Sequence, residues 1–281
     1  MRQNTLIFVS VLLFAGLPGC MSLHTSNTSD SVKKATTLAA NNGFVKKEIK
    51  TNPFILTSFQ KFARPNNTLT IYIEGDGRTW ITRTKLSVNP TPRNPLALKL
   101  AILDKSPNVA YLARPCQYTP FEFDLACQPS VWSFDRFSKP VIQAMNEAVD
   151  ILKKEAKATK IHLVGFSGGA AIAALIAANR TDVATLKTVA GDLNHQALSK
   201  YHKTTPLQNA LNPMDVAHKI KDISQQHFVG ENDTVVPPFI AEDFVNEIIK
   251  NGGHHAKRIV IKDATHQKGW ETAWERLLNK H

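Results

Sequence analysis

The sequence predicts an α/β protein, with a mostly parallel central sheet, helices on both faces and no large lid domain. Three observations carry this. From about residue 54 onward, strand-like apolar runs alternate with helical periodicities. The 281 residues are 43% apolar and 20% charged, enough to bury a substantial core and too apolar for a wholly disordered chain. A short apolar strand, Ile161-His162-Leu163-Val164, also passes through Gly165-Phe166-Ser167-Gly168-Gly169 into an Ala-rich helix.

Each element follows from its pattern. Residues 54–62 alternate partly like a strand, and Leu69-Thr70-Ile71-Tyr72-Ile73 is strand-like and ends at Glu74-Gly75-Asp76-Gly77. A Pro-rich stretch over 89–95 precedes a helix at 96–104, followed by a buried-strand pattern at 109–113. Ile142, Met145, Val149 and Leu152, at three- and four-residue steps, predict a helix over 139–158. The Ala-rich helix covers 170–179, and strands fit 185–189, 226–229 and 258–261, with helices at 239–251 and 270–280. Residues 193–223 leave room for a helix and a loop, which is too little for a large lid.

The N-terminus reads as an address rather than as fold. Arg2 precedes a twelve-residue apolar run, Leu6 to Leu17, shorter than the roughly 18 residues of a spanning helix. Residues 1–19 therefore read as a signal peptide. Leu17-Pro18-Gly19-Cys20 resembles a bacterial lipobox, which implies a lipidated Cys20 as the mature N-terminus. Met21 stands where an inner-membrane retention signal usually places Asp, so the resemblance points to an outer-membrane lipoprotein facing the periplasm. Residues 20–53, rich in Ser, Thr, Asn and Lys, read as a flexible tether, leaving 54–281 as the folded domain.

Charge narrows the partners. The 34 Lys plus Arg against 23 Asp plus Glu give a net charge of +11, but the basic residues occur as scattered pairs such as Lys33-Lys34 and Lys153-Lys154. No basic run, zinc-finger spacing or aromatic RNA-binding signature accompanies them, so no nucleic-acid partner is expected. Attraction to anionic lipid headgroups remains open. Beyond Cys20, Cys116 and Cys127 stand with ten residues between them. In an oxidising compartment they form a disulfide, with two buried thiols as the alternative. No third Cys or His stands at ligand spacing, so no metal is expected there; the adjacent His254-His255 pair diverges on any regular element and stays open as a metal site only with added ligands.

The Gly165-to-Gly169 turn, set between strand and helix, resembles the nucleophile elbow of the α/β-hydrolase family. Such a turn strains the backbone at Ser167, lifts its hydroxyl above the sheet edge and aims a helix N-terminus at developing negative charge. The Ala-rich helix that follows has no place in the all-β trypsin-like proteases, whose Gly-Asp-Ser-Gly-Gly is superficially similar. After a strand comes Gly230-Glu231-Asn232-Asp233-Thr234-Val235-Val236-Pro237, similar to the family's acid turn, and after the next strand Asp263-Ala264-Thr265-His266 stands where the family places its histidine. The separations, 66 residues from Ser167 to Asp233 and 33 from there to His266, leave room for the intervening units.

The resemblance implies Ser167 as nucleophile, His266 as general base and acid, and Asp233 as the group orienting the imidazole. Asp192 and Asp263 compete for the acid's place. The oxyanion hole calls for the backbone of Gly168 together with Asp76 or Gly77, where the family often carries His-Gly ahead of the donor and this chain carries Glu-Gly. The implied function is a serine hydrolase cleaving ester-type acyl bonds of a small-molecule or lipid substrate, without cofactor. Thioesterase or peptidase chemistry on the same machinery, and a non-catalytic lipoprotein that binds an envelope partner, stay open. The aromatic stretch 118–137 (Phe121, Phe123, Trp132, Phe134, Phe137) reads either as a pocket wall or as anchors for a long loop, and Arg114 and Arg136 as a site for an anionic group or as surface charge.

Overall fold

The structure, a computed structural model, describes residues 25–120 and 124–278. The expected signal peptide, Cys20, Phe121 and Phe123 lie outside the described residues. In chain order the elements are α1 (Thr25–Asn41), β1 (Val45–Lys50), β2 (Ile55–Phe62), β3 (Leu69–Ile73), α2 (Leu96–Leu103), β4 (Asn108–Leu112) and α3 (Lys139–Glu155). They continue with β5 (Ile161–Phe166), α4 (Gly168–Ala177), β6 (Val183–Val189), α5 (His195–His202), α6 (Pro213–Val216), β7 (Ser224–Gly230), α7 (Phe239–Lys250), β8 (Ala256–Ile261) and α8 (Trp270–Leu278).

The strands form one eight-stranded sheet in the order β1-β2-β4-β3-β5-β6-β7-β8. Strand β2 pairs antiparallel with both neighbours, and β4, β3 and β5 to β8 pair parallel throughout. Strand alternation divides the core in two. Leu69, Ile71 and Ile73 join the core beneath α3, α4 and α7, whereas Tyr72 joins the opposite core with side chains of α1, α2 and α8.

Local sequence explains the helices nearest the nucleophile. Helix α3 has Pro140 in its first turn, Lys153 and Lys154 in its last, and a buried stripe from Val141 to Leu152. All ten residues of α4 are buried, and their Gly and Ala side chains let this helix lie close against the sheet. The connection from β3 leaves by α2 on one face, and that from β5 by α4 on the other. This divergence opens a crevice at the carboxyl ends of β3 and β5, where Ile73 is in register with Gly165.

One expectation needs correction. Residues 20–53 are not a tether over their described part, because 25–41 form α1 and Val45–Lys50 pairs with β2 as the sheet's edge strand. The physical reason is what these elements bury. Helix α1 docks through the small side chains of Ala35 and Ala39, and β1 buries only Ile49 while its lysines face solvent. Charged edge strands of this kind resist edge-to-edge association and leave little hydropathy signal. The folded domain thus begins before residue 54.

The segment 193–223 holds α5 and the single-turn α6, in keeping with the absence of a large lid among the described residues. Cys116 and Cys127 are joined as a disulfide with Cα atoms 5.4 Å apart, packed on Trp132. No helix among the described residues is long and apolar enough to cross a membrane.

Candidate active site

Ser167 links β5 to α4 with φ +51° and ψ −120°. Backbone strain of this kind costs about 1–3 kcal/mol and persists only where the surroundings enforce it. Here the Ser167 N–H donates to the Val189 carbonyl at 2.9 Å, and the Asp192 N–H donates to the Ser167 carbonyl at 3.1 Å. The turn is also too tight for a side chain at Gly165, where a Cβ would lie 2.5 Å from Ala170 Cα.

The three sequence-predicted catalytic side chains come together. His266 Nε2 lies 3.0 Å from Ser167 Oγ, and His266 Nδ1 lies 2.9 Å from Asp233 Oδ2. A carboxylate can only accept, so Nδ1–H donates to Asp233 and leaves Nε2 free to accept from the serine hydroxyl. Asp233 is fixed in turn, its Oδ1 accepting from the Val235 and Val236 N–H groups at 2.9 Å each. Phe166 packs against the imidazole at 5.3 Å between ring centroids. The indole of Trp270 donates to the carbonyls of Thr265 and His266 at 2.8 and 3.2 Å, tying the histidine loop to the start of α8. Sequence reasoning missed both aromatic supports. The one signal for Trp270 is its place at a helix start, four residues beyond the histidine.

Neither competing acid is hydrogen-bonded to His266, whose Nδ1 meets Asp233. The Asp192 carboxylate meets His195 Nδ1 at 3.0 Å, and the His195 ring stacks on Phe137 at 4.3 Å. Asp263 occupies a left-handed turn, φ +60°, with its N–H donating to Glu231.

The loop after β3 supplies the other side of the site. A Cβ on Gly75 would lie 3.2 Å from Ser167 Cβ, so this residue, absent from the sequence-based candidates, stands directly beside the nucleophile. Asp76 packs its carboxylate against Gly168, where no side chain fits. Gly77 is not brought to the elbow in this way. With φ +65° its neighbours are the Pro90 carbonyl and the Gln117 side chain, because Arg78 N–H donates to Pro90 at 2.9 Å and turns the chain away. Of the three expected oxyanion residues, the structure therefore places Gly168 and Asp76 side by side and leaves Gly77 out.

Asp76 is ion-paired with Arg114, and with Arg136 through Arg136 Nε at 3.2 Å. Both guanidinium groups stack over Phe137, at 4.9 and 5.1 Å from the ring centre. Burial pushes the Asp76 carboxyl up, but Arg136 and Arg114 outweigh it and hold the group below its ordinary range. The carboxylate also lies at the positive N-terminus of α4. Glu74, one residue before Gly75, has no such partner among the described residues. Its Oε1 accepts from Gly75 N–H at 2.9 Å, and burial raises its pKa to about 7.

The aromatic stretch mostly anchors its loop. Phe137 is fully buried, Trp132 is buried and donates to the Ser87 carbonyl at 3.1 Å, and Phe134 alone among its described members is exposed. Among the described residues no three His, Cys, Asp or Glu side chains gather as a metal site, and His254 and His255 are exposed.

No protein-family model matches this chain, and neither does any curated protein sequence. Solved structures do match it. The acylaminoacyl peptidase of Pyrococcus horikoshii is similar with a TM-score of 0.61 at 12% identity, over 86% of this chain and 41% of the peptidase. This chain thus spans about two fifths of that protein's length. An esterase of Pyrococcus furiosus matches with a TM-score of 0.59 at 15% identity, over 86% of this chain and 90% of its own. Est1E from Butyrivibrio proteoclasticus gives 0.59 and 15%, over 84% and 96%. The chain has the α/β-hydrolase fold.

Proposed function

We propose that the protein is a serine hydrolase that cleaves ester-type acyl bonds through an acyl-Ser167 intermediate. The observation that carries the reading is the unbroken hydrogen-bonded series Ser167–His266–Asp233 mounted on a strained strand-to-helix turn. His266 takes the proton from Ser167 Oγ as that oxygen bonds to the acyl carbon, and gives it to the leaving oxygen as the ester bond breaks. Water then repeats the sequence, with His266 as base, to release the acid and restore the serine. Asp233 holds the imidazole in the required tautomer and stabilises its cation. The N–H groups of Gly168 and Asp76 receive the oxyanion.

Ester cleavage is favoured over peptide cleavage because the esterase structures match along nearly their whole length, the peptidase along less than half. The lipobox-like Leu17-Pro18-Gly19-Cys20 supports a site of action in the bacterial envelope, with the chain held to the outer membrane through a lipid on Cys20.

The test is a fluorophosphonate probe read by intact mass. Wild type is expected to take one adduct, and Ser167→Ala and His266→Ala none. Full labelling of Ser167→Ala would remove the assigned nucleophile. A panel of matched esters, thioesters and amides of one acyl group then ranks the bond types.

A further inference from the structure

Five of the eleven exposed large apolar side chains among the described residues gather at one end of the molecule. Trp80, Phe134, Tyr201, Val235 and Phe239 are all at least 36% exposed, and all lie on segments that follow the carboxyl ends of the strands, around the candidate site. They fall into two wings. The first is a small hairpin that continues from the Asp76 loop. Trp80 bridges Leu86, Ile81 N–H donates to the Lys85 carbonyl at 2.7 Å, and Thr79 Oγ1 donates to the Asp76 carbonyl at 3.0 Å. Phe134 stands edge-on to Trp80 at 6.0 Å. The second wing joins Tyr201 to Phe239 at 5.7 Å, with His202 Nε2 2.7 Å from the carbonyl of Val235, two residues beyond Asp233.

The hairpin lies within a basic segment. Between Gly77 and Leu103 the sequence contains Arg78, Arg83, Lys85, Arg93 and Lys99 and no acidic residue. Lys99 alone of the five is ion-paired among the described residues, with Glu271. Arg83 and Lys85 are exposed on the same hairpin as Trp80. An indole 39% exposed, on a hairpin that also carries two exposed cations without an ion-pair partner among the described residues, suits the boundary between headgroups and acyl chains. A second copy of this chain is a poor occupant, because a two-fold contact would set the same cations against each other.

We propose that the rim of the candidate site, led by the hairpin carrying Trp80, Arg83 and Lys85, docks on an anionic lipid bilayer. The docked molecule presents the crevice beside Ser167 to the membrane surface. This deepens the hydrolase reading by naming lipid esters as its substrate class, and rests on that reading for the substrate but not for the docking.

The full chain carrying Cys20→Ser is tested by flotation with vesicles of phosphatidylcholine alone or with a third phosphatidylglycerol. Arg83→Glu/Lys85→Glu and Trp80→Ala are compared in the same background. The apolar N-terminal stretch is common to all three, so the differences report the hairpin. Anionic vesicles are expected to hold the parent at least tenfold more strongly than the charge-reversed pair, with the advantage lost in high salt. Lipids brominated along the acyl chain are expected to quench a part of the fluorescence that Trp80→Ala lacks. Equal binding of parent and charge-reversed pair, no quenching assignable to Trp80, or a dimer in place of vesicle binding would each overturn the docking. Retained fluorophosphonate labelling shows that the charge-reversed pair is folded. Docking that persists in Ser167→Ala while no form is labelled would end the hydrolase reading alone.

Discussion

Glu74 and Asp76 stand one residue to either side of Gly75 on the same loop, Glu74 buried and Asp76 half-buried, and their carboxyls are displaced in opposite directions. Glu74 faces the core with the phenols of Tyr111 and Tyr118 beside it and no cation among the described residues, and its pKa rises to about 7. Burial also pushes Asp76 up, but Arg136 and Arg114 hold it low. Glu74 helps satisfy the start of α2, where the Pro95 cap offers no side-chain acceptor and Ala97 N–H approaches the carboxylate at a long 3.5 Å. Asp76 works on the other side of the same peptide, fixing the loop's backbone against Gly168. Burial alone makes a carboxyl titrate near neutrality; keeping one ionised beside a nucleophile takes two guanidinium groups.

Breaking the charged half should produce the largest effect. Arg114 is 5% exposed at its side chain, so Arg114→Met leaves the half-buried Asp76 with Arg136 alone and should cost up to about 3–5 kcal/mol in urea denaturation. With the loop displaced, labelling of Ser167 should slow by roughly 100-fold. Adding Asp76→Asn should restore part of the stability, because the under-compensated charge goes with it. A single variant as stable as wild type would dissolve the contrast between the two carboxyls.

The disulfide sharpens the comparison from the other direction. Cys116 lies between Arg114 and Gln117, whose amide donates to the Gly75 carbonyl at 2.9 Å. Replacing Cys116 and Cys127 by Ala should cost about 3 kcal/mol in the chain-entropy model, read as a lower urea midpoint. Labelling should slow as well, because Arg114 loses its nearest covalent restraint.

The smallest effect belongs to Glu74, and its sign follows from titration. The unfolded carboxyl ionises near 4.5 and the folded one only near 7, so the folded state holds a proton that the unfolded state has lost. Stability contributed by the neutral carboxyl is therefore present below pH 4.5 and declines as pH rises to about 7. Glu74→Gln, a neutral isostere, should remove that decline and be about 1–3 kcal/mol more stable than wild type at pH 8, with no advantage at pH 4. Parallel stability curves for the two proteins would mean that Glu74 is charged in its core.

Legibility in the sequence tracked how local each feature is. The elbow, the Asp233 turn and the His266 loop are written in adjacent residues, and the strands that carry them are continuous apolar runs, so the side chains that meet around Ser167 were identifiable in advance. The edge strand β1 was not, because Val45–Lys50 buries one residue and otherwise looks like solvated loop. Arg114 and Arg136 were visible as candidates for an anionic group, but the anion they hold is the chain's own Asp76, 38 residues from the nearer arginine. No local pattern encodes a pairing made between the loops that follow two neighbouring strands. Gly75 was passed over for a related reason, since its closeness to Ser167 arises from the β3–β5 register.

The absent side chain at position 168 also constrains how this protein can change over generations. Any residue larger than glycine there would occupy the space of the Asp76 carboxylate. A lineage that first acquires alanine at 168 must displace the Asp76 carboxylate and the Arg114 guanidinium from their paired positions, whereas one that first shortens position 76 opens the space beforehand. The two positions are coupled through shared space, so the effect of a substitution after the nucleophile depends on what the loop of a distant strand already carries.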